Sequence, residues 1–574
     1  MSISFTSAQL SLINTTESVY VEACPGAGKT QAVVQRFLNR PDPDPRRGVA
    51  LISFTNMAIE EVRKRSSSRP DLLRAPNFVG TVDSFINRFI VQPVFAGLRK
   101  IAPTFRDTWI SVPGTLFQTP GVPMQLSLSW FKFHLDGSAN LEPDLAPYQS
   151  RHGLKSLSAY QLRLAQEAAK RKWLALISIG TLDAATSRKL MSSYLTEPWV
   201  RAALVDVLRG RFAEVIVDEM QDCSDQDVEL LELIIESGIR LVMVGDEHQS
   251  IYEFRGASQE NRERLRRLVN VGQRLDGNFR SSPAICSLVN GLRPSNENDE
   301  AVGPNATSNH AVHVMRYQTE KSAVTRVTTL LNALNMPLEN VIVLAHDTNK
   351  ARICAGAPFP PASSNNKLVR LAQAIHDLQQ LTTSQKSMTE AQRTLAVLLR
   401  ELTSPDLLAL SEREFLEHVG LSSQQFRNGC LRLALALPPP FDGPPSVFKQ
   451  NFIGQRVSQG IFDWANAPLK TPNGDRWPSI PTPELDGFHY SSIHRFKGLQ
   501  ERIVVLVIPK VRPSSQGILD GVELWVTDQS GEPRNVLYVG ASRAEELLVL
   551  WVHDSVSEDV RSALLRDGVF FEEH

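Results

Sequence analysis

The sequence predicts an α/β protein with two parallel-sheet cores. Short apolar runs recur along the chain, each followed by turn or helix signals. That is the pattern of strands covered on both faces by crossing helices. The runs fall into two sets separated by long stretches of different character. The length of 574 residues also exceeds what one hydrophobic core supports.

The first set opens at residues 18–23, which alternate like a strand and run into a Gly-rich turn; a helical pattern follows over 30–39. Residues 49–53, 214–217 and 241–245 continue it, and 311–317, 341–345, 502–508 and 547–552 form the second set. Residues 100–205 are rich in helical pattern, as in 160–176. Residues 359–482 are helical with Pro-rich breaks at Pro438 to Pro440 and at Pro444-Pro445. The expected division is a first core over 1–100 and 205–277, with a helical insertion over 101–204. A second core covers 278–358 and 483–574, with a reduced helical insertion over 359–482.

Composition is that of an ordinary soluble globular protein, 42% hydrophobic and 21% charged. The net charge of -1 gives no bulk attraction for a polyanion, so any nucleic-acid site must be a local groove. No apolar run is long enough to span a bilayer, and no basic-then-apolar leader opens the chain, so a cytoplasmic location is expected. The five cysteines, Cys24, Cys223, Cys286, Cys354 and Cys430, are scattered. They suggest neither a disulfide framework nor a cysteine-based zinc or iron–sulfur site.

Ala23-Cys24-Pro25-Gly26-Ala27-Gly28-Lys29-Thr30 fits a phosphate-binding loop, with Ala23 where the first Gly is usual. Small residues let successive backbone N–H groups face phosphates. Lys29 supplies charge to the outer phosphates, and the Thr30 hydroxyl suits Mg²⁺. Cys24 reads as a small filler or, alternatively, a redox switch. Downstream, an apolar strand ends in Asp218-Glu219-Met220-Gln221-Asp222. Acids there emerge at the sheet edge beside the loop. Asp218 is placed to hold a metal ion, and Glu219 to orient and deprotonate water.

With these motifs in order, the sequence resembles the UvrD/Rep/PcrA-like superfamily 1 helicases. Asp-Glu-x-Gln-Asp is their form of the second motif. The resemblance implies two RecA-like cores, ATP and Mg²⁺ as cofactors, and a DNA partner. It implies that Gln9 reads the adenine edge. Phe54, Thr55 and Asn56, then Thr81, match motifs that touch single-stranded DNA; Asp83 stands where the family often has His and is not assigned to the strand. Residues 244–257 resemble the third motif. Gln249 is implied as the γ-phosphate sensor, and Tyr252 and Phe254 as base-stacking aromatics. Phe279 and Arg280 match the fourth motif, Phe279 against adenine and Arg280 toward the γ-phosphate. His494 to Gln500 resembles the fifth, with His494 on DNA and Gln500 on the ribose where Glu is usual. Arg543 matches the arginine of the sixth.

The implied activity is ATP-dependent 3′-5′ helicase or translocase movement on single-stranded DNA, in repair or anti-phage defence. Hydrolysis residues would be Lys29, Glu219, Gln249, Arg280 and Arg543. The reduced second insertion, and the short chain after Arg543, also resemble the helicase subunits of anti-phage systems such as Gabija, where a separate nuclease is the partner. A nucleotide-gated sensor with little unwinding of its own is the rival reading. The basic clusters Arg63-Lys64-Arg65 and Arg262/Arg264/Arg266/Arg267 are phosphate contacts or solvated helix faces.

Overall fold

The computed structural model describes residues 5–39, 46–54, 56–66, 69–112, 115–146, 148–251, 259–294, 297–319, 322–357, 366–379, 392, 395–403, 412–477, 488–510 and 520–574. They form a mixed α/β structure that clusters into two compact units. One comprises Met1–Leu98, Arg188–Ala357 and Pro483–His574; the other comprises Arg99–Ser187 and Pro358–Thr482.

The first unit holds two six-stranded sheets. In chain order the strands of the first are β1 (Val19–Glu22), β2 (Gly48–Ser53), β3 (Phe78–Thr81), β4 (Phe212–Asp218), β5 (Arg240–Gly245) and β6 (Asn270–Val271). They lie in the order β6-β1-β5-β4-β2-β3, all parallel. The second sheet takes β7 (Val312–Tyr317), β8 (Val341–Ala345), β9 (His489–Ser492), β10 (Glu501–Ile508), β11 (Ala544–His553) and β12 (Phe571–Glu573). Its order is β9-β8-β10-β11-β7-β12, again all parallel. The apolar runs read from the sequence are the inner strands. β4 is buried at every position, because helices cover both faces of a parallel sheet. The two- to four-residue strands β3, β6, β9 and β12 carry too little apolar sequence to be read in advance.

Register fixes the working edge. Glu22 pairs with Gly245, Asp218 with both Val244 and Ser53, and Ser53 with Thr81. Chain leaving β1, β2, β3, β4 and β5 therefore emerges along one rim. This is where ligands bind in open parallel sheets.

A buried ion triad braces the rim from below. Arg36, in the helix Lys29–Asn39, is fully buried and grips Glu214 of β4 with Nε and Nη2 at 2.8 and 2.7 Å. Its Nη1 donates to the carbonyls of Leu12 and Ile13 at 2.9 and 3.1 Å. Arg240 of β5 reaches the same carboxylate at 3.0 Å. The triad thus ties together the helix after the loop, two strands and the first helix, Ser7–Asn14. Removing one partner strands a buried charge, so Glu214→Ala should cost about 3–5 kcal/mol. Chemical denaturation of the purified chain measures this, and a loss below about 1 kcal/mol would show that Arg36 finds solvent instead.

The second unit adds a detail that the sequence did not suggest. In its N-terminal segment, beside the helices Tyr148–Lys155 and Ala159–Ser178, it carries short strand pairs. Leu116–Phe117 pairs antiparallel with Leu126–Ser127, and Phe131–Phe133 with Ala139–Leu141. Phe131-Lys132-Phe133 alternates buried, exposed, buried; Asp136-Gly137 then turns the chain, with Gly137 at φ 84°. Two-residue periodicity with a Gly-bearing turn favours a hairpin over a helix. The helix Pro198–Arg211 clusters with the first unit. In the described part of residues 366–477 the elements are helical, packed around Phe415, Phe426, Phe452 and Phe462.

Candidate nucleotide and nucleic-acid site

The loop after β1 is held open by its backbone. Ala23 N–H donates to Gly245 O at 2.9 Å and Cys24 N–H to Leu275 O at 2.8 Å. Gly26 and Gly28 have φ of 73° and 69°, a region that favours glycine. Gly26 is required for a second reason: a Cβ there would lie 2.7 Å from Arg280 Cβ. Pro25 and Ala27 are buried beside them. Cys24 is buried, and burial pushes its thiol well above the ordinary range, so it packs as a small filler.

Lys29 is 8% exposed at the start of the helix Lys29–Asn39. Thr30 Oγ1 donates to Asp218 Oδ2 at 3.0 Å. Glu219 follows in a left-handed conformation, φ 61° and ψ 41°, with its N–H on Asp218 Oδ1 at 3.0 Å. A non-glycine residue held there stores about 1–3 kcal/mol of strain. The turn sets two carboxylates side by side beneath the loop.

Their environments drive them apart. Burial, then the neighbouring Glu219 charge, pushes the Asp218 carboxyl up to about 7. Burial also raises Glu219, but Lys29, Lys497 and the hydrogen bond from Gln221 outweigh it, and Glu219 is held below the ordinary carboxylate value. A hydroxyl and a carboxyl group within 3.0 Å, beside a second buried acid, form a donor set whose clustered negative charge a hard divalent cation would neutralise.

The second sheet supplies cations. Gln500 and Arg543 each lie one residue before the paired starts of β10 and β11, Glu501 and Ala544. Arg280 is fixed beside them: its N–H donates to Asn278 Oδ1 at 2.8 Å, and Phe279 N–H donates to Gly26 O at 3.0 Å. Arg280 Nε donates to Gln500 Oε1 at 2.7 Å and Nη1 to Ser542 O at 2.9 Å. Arg543 is 1% exposed; it donates to Val539 O at 3.0 Å, Leu499 O at 3.3 Å, Ser542 Oγ at 2.8 Å and Gln249 Oε1 at 3.1 Å. Burial, then Arg280, pushes the Arg543 guanidinium down to about 9. Two guanidinium groups in low dielectric that repel one another demand an anion.

Further contacts bridge the same seam. Lys497 Nζ donates to both oxygens of Asp222 at 2.7 Å, with each side chain about 95% buried. Tyr538 OH donates to Asp246 Oδ2 at 3.1 Å, while Gln249 Nε2 donates to the same oxygen at 2.7 Å. Asn535 Nδ2 donates to Ser250 O at 3.0 Å. Sequence reasoning assigned Lys497, Asp222, Tyr538 and Asn535 no role. Lys497 and Asp222 lie inside the quoted motifs, and Asn535 and Tyr538 just ahead of Arg543, but their partners sit some 275–292 residues away in the chain.

Other expected residues are placed differently. The Gln9 amide serves local structure: Oε1 accepts from Thr6 N–H at 2.9 Å in a capping box, and Nε2 donates to Ala27 O at 2.9 Å. Gln9 therefore touches the phosphate loop itself. Gln500 engages Arg280 with its amide oxygen. Phe54 is half-buried, and Asn56 opens the helix Asn56–Arg65. Thr81 caps the short helix Val82–Phe85, accepting from Ser84 N–H at 3.2 Å. His494 is half-buried with its ring 5.2 Å from that of His346. Thr55, Tyr252 and Phe254 lie outside the described residues. Asp83 is paired with Arg188 at 2.7 Å, which also holds Asp227 at 2.6 Å. In the arginine cluster after residue 258, Arg264 pairs with Glu232 at 2.6 Å and Arg266 with Glu22 at 2.8 Å, so their charge is already matched.

A glycine-rich loop after a parallel strand, two acids ending another strand of the same sheet, and opposing arginines define a P-loop nucleotide-binding protein. The UvrD/REP helicase N-terminal domain matches residues 5–106 and 138–270. Over these segments the chain is similar to the UvrD/Rep-like superfamily 1 helicases. It is 37% identical over 90 residues to DNA helicase II of Salmonella typhimurium, 15% of this chain and 12% of that protein. It is 23% identical over 283 residues to a probable DNA helicase II homolog of Mycoplasma genitalium, 46% of this chain and 39% of that one. With the RecBCD enzyme subunit RecB of Escherichia coli it shares 34% over 91 residues, 16% of this chain and 8% of that subunit. The chain thus spans well under half the length of these relatives. Among the described residues no helix is long and apolar enough to cross a membrane.

Proposed function

We propose that the chain is an ATP-dependent helicase or translocase that moves 3′ to 5′ along single-stranded DNA, with both sheets acting as RecA-like cores. The observation that carries the reading is the seating of Arg280 and Arg543, from the second sheet, against the loop and Gln249 of the first. Lys29 and the loop N–H groups bind the β- and γ-phosphates. Thr30 and Asp218 would hold Mg²⁺, which when bound would supply charge screening for the phosphates. Glu219, kept ionised, positions the attacking water and takes its proton. Arg280 and Arg543 stabilise charge developing on the transferred phosphoryl group in a site shielded from water. Gln249 bonds both Asp246 and Arg543, so loss of the γ-phosphate is felt on both sides of the seam.

Nucleotide state then sets how tightly the two sheets close, because two cations favour the triphosphate over the diphosphate product. The track would follow the same rim, past Phe54, Asn56 and Thr81, and then His494; Thr55, Tyr252 and Phe254 are proposed as contacts on the motif resemblance alone. The likeness to a subunit of RecBCD supports a partner subunit, for which a nuclease is the proposed chemistry, in repair or in phage defence.

ATP hydrolysis measured with single-stranded DNA, with RNA and with neither tests the reading, followed by duplexes tailed at 3′ or 5′ ends. DNA-stimulated hydrolysis with displacement from the 3′ tail is expected. Hydrolysis indifferent to every strand would reduce the protein to a nucleotide-gated switch and overturn the motor.

A further inference from the structure

We infer that the outer edge of the second sheet holds a Zn²⁺-class metal site built from His313, Glu572 and His574. The backbone makes the arrangement. β12 runs parallel to β7 with His313 paired to Glu572 and Val314 to Glu573. Side chains alternate along a strand, so Glu572 and His574 share a face and flank His313. His574 N–H donates to Val314 O at 2.9 Å, which extends the pairing by one residue, and Arg326 fixes the His574 carbonyl at 2.9 Å.

The donor atoms converge. His313 Nδ1 and His574 Nε2 are 2.8 Å apart, and Glu572 Oε2 is 3.7 Å from His313 Nδ1. All the candidate ligand atoms lie within 4.8 Å of one another. Two imidazole nitrogens at 2.8 Å share one proton. Zinc bound at about 2.0–2.1 Å to each would set tetrahedral ligands roughly 3.3 Å apart. Replacing the proton by the metal thus requires the rings to part by about half an ångström, within the freedom of an exposed side chain. His313 is 1% exposed and rigidly seated, whereas Glu572 is 55% exposed, so the site is anchored on one side and open on the other. Two imidazoles and a carboxylate suit Zn²⁺ rather than Mg²⁺, which prefers oxygen ligands and keeps its waters. Solvent would supply the fourth ligand. With Glu572 from β12, His574 just after it and His313 from β7, the ion would clip the edge strand to the sheet that carries Arg543. Nothing in this depends on the nucleotide reaction.

The test is equilibrium dialysis of untagged, chelator-stripped protein against Zn²⁺ with Mg²⁺ in excess to occupy the acids beside the loop. The comparison is between wild type, His574→Ala and Glu572→Gln, with folding checked by circular dichroism. One zinc per wild-type chain is expected, weakened by at least about tenfold in each variant. Co²⁺ in place of Zn²⁺ should give visible bands of tetrahedral strength in wild type and lose them in His574→Ala. No zinc taken up by wild type, or equal uptake by wild type and His574→Ala, would leave only a hydrogen-bonded histidine pair and overturn the site.

Discussion

Arg543→Ala is expected to lower DNA-stimulated ATP turnover by about 10³–10⁵-fold, the range for removing an arginine that stabilises a phosphoryl-transfer transition state. The geometry accounts for so large an effect. The guanidinium is buried, held by three backbone or hydroxyl oxygens and by Gln249, and already repelled by Arg280. It gains most when negative charge grows beside it, so its loss should fall more heavily on turnover than on nucleotide affinity. Folding should survive, because the substitution removes a cation that burial disfavours. Arg543→Lys separates charge from shape. Lysine keeps one positive group but lacks the planar fork that reaches Gln249 and the carbonyls together, so only a small part of the activity should return. Turnover and nucleotide affinity, measured separately on both variants, decide the matter. An Arg543→Ala protein that hydrolyses ATP within tenfold of wild type would leave Arg280 as the sole arginine at the γ-phosphate.

What could be read from the sequence divides along physical lines. The inner strands announced themselves because a strand covered on both faces is apolar along most of its length, as Val215–Val217 of β4 and Ile503–Ile508 of β10 are. The loop and the acids were legible because the chemistry of phosphates constrains neighbours in the chain: Gly26, Gly28, Lys29 and Thr30 must be contiguous. The seam was only half legible. Motif order named Arg280 and Arg543, but not that Gln500 would orient Arg280, nor that Asp222 would meet Lys497. Those pairings are set by strand order and packing, which local pattern does not encode. Gln9 illustrates the competing claim of local structure. Thr6-Ser7-Ala8-Gln9 is a capping-box sequence, and its amide is committed to the helix start and to Ala27 before any base arrives. The hairpin at Phe131–Leu141 was missed for a simpler reason, since two- and three-residue strands fall below the length at which periodicity is distinguishable from chance.

Glu219→Gln should separate binding from turnover. The amide keeps the size and the left-handed turn of Glu219 but cannot accept a proton, so hydrolysis should fall by about 10²–10⁴-fold. Nucleotide affinity should hold or rise, because Lys29 loses an internal competitor for its charge and turns more fully to phosphate. A second consequence follows from the pairing of the acids. Asp218 is pushed up by burial first and by the Glu219 charge second. With that charge gone, Asp218 should ionise at lower pH. The folded protein then holds its metal-binding carboxylate over a wider range, and Mg²⁺-dependent nucleotide binding should persist further into acid than in wild type. Titrating a fluorescent ATP analogue across pH, with and without Mg²⁺, reads both effects on one sample. An acid shift accompanying lost turnover fits a base and a metal ligand that share one buried field. Lost turnover with an unmoved binding profile would mean that burial alone governs Asp218, and the electrostatic coupling of the two carboxylates would have to be given up.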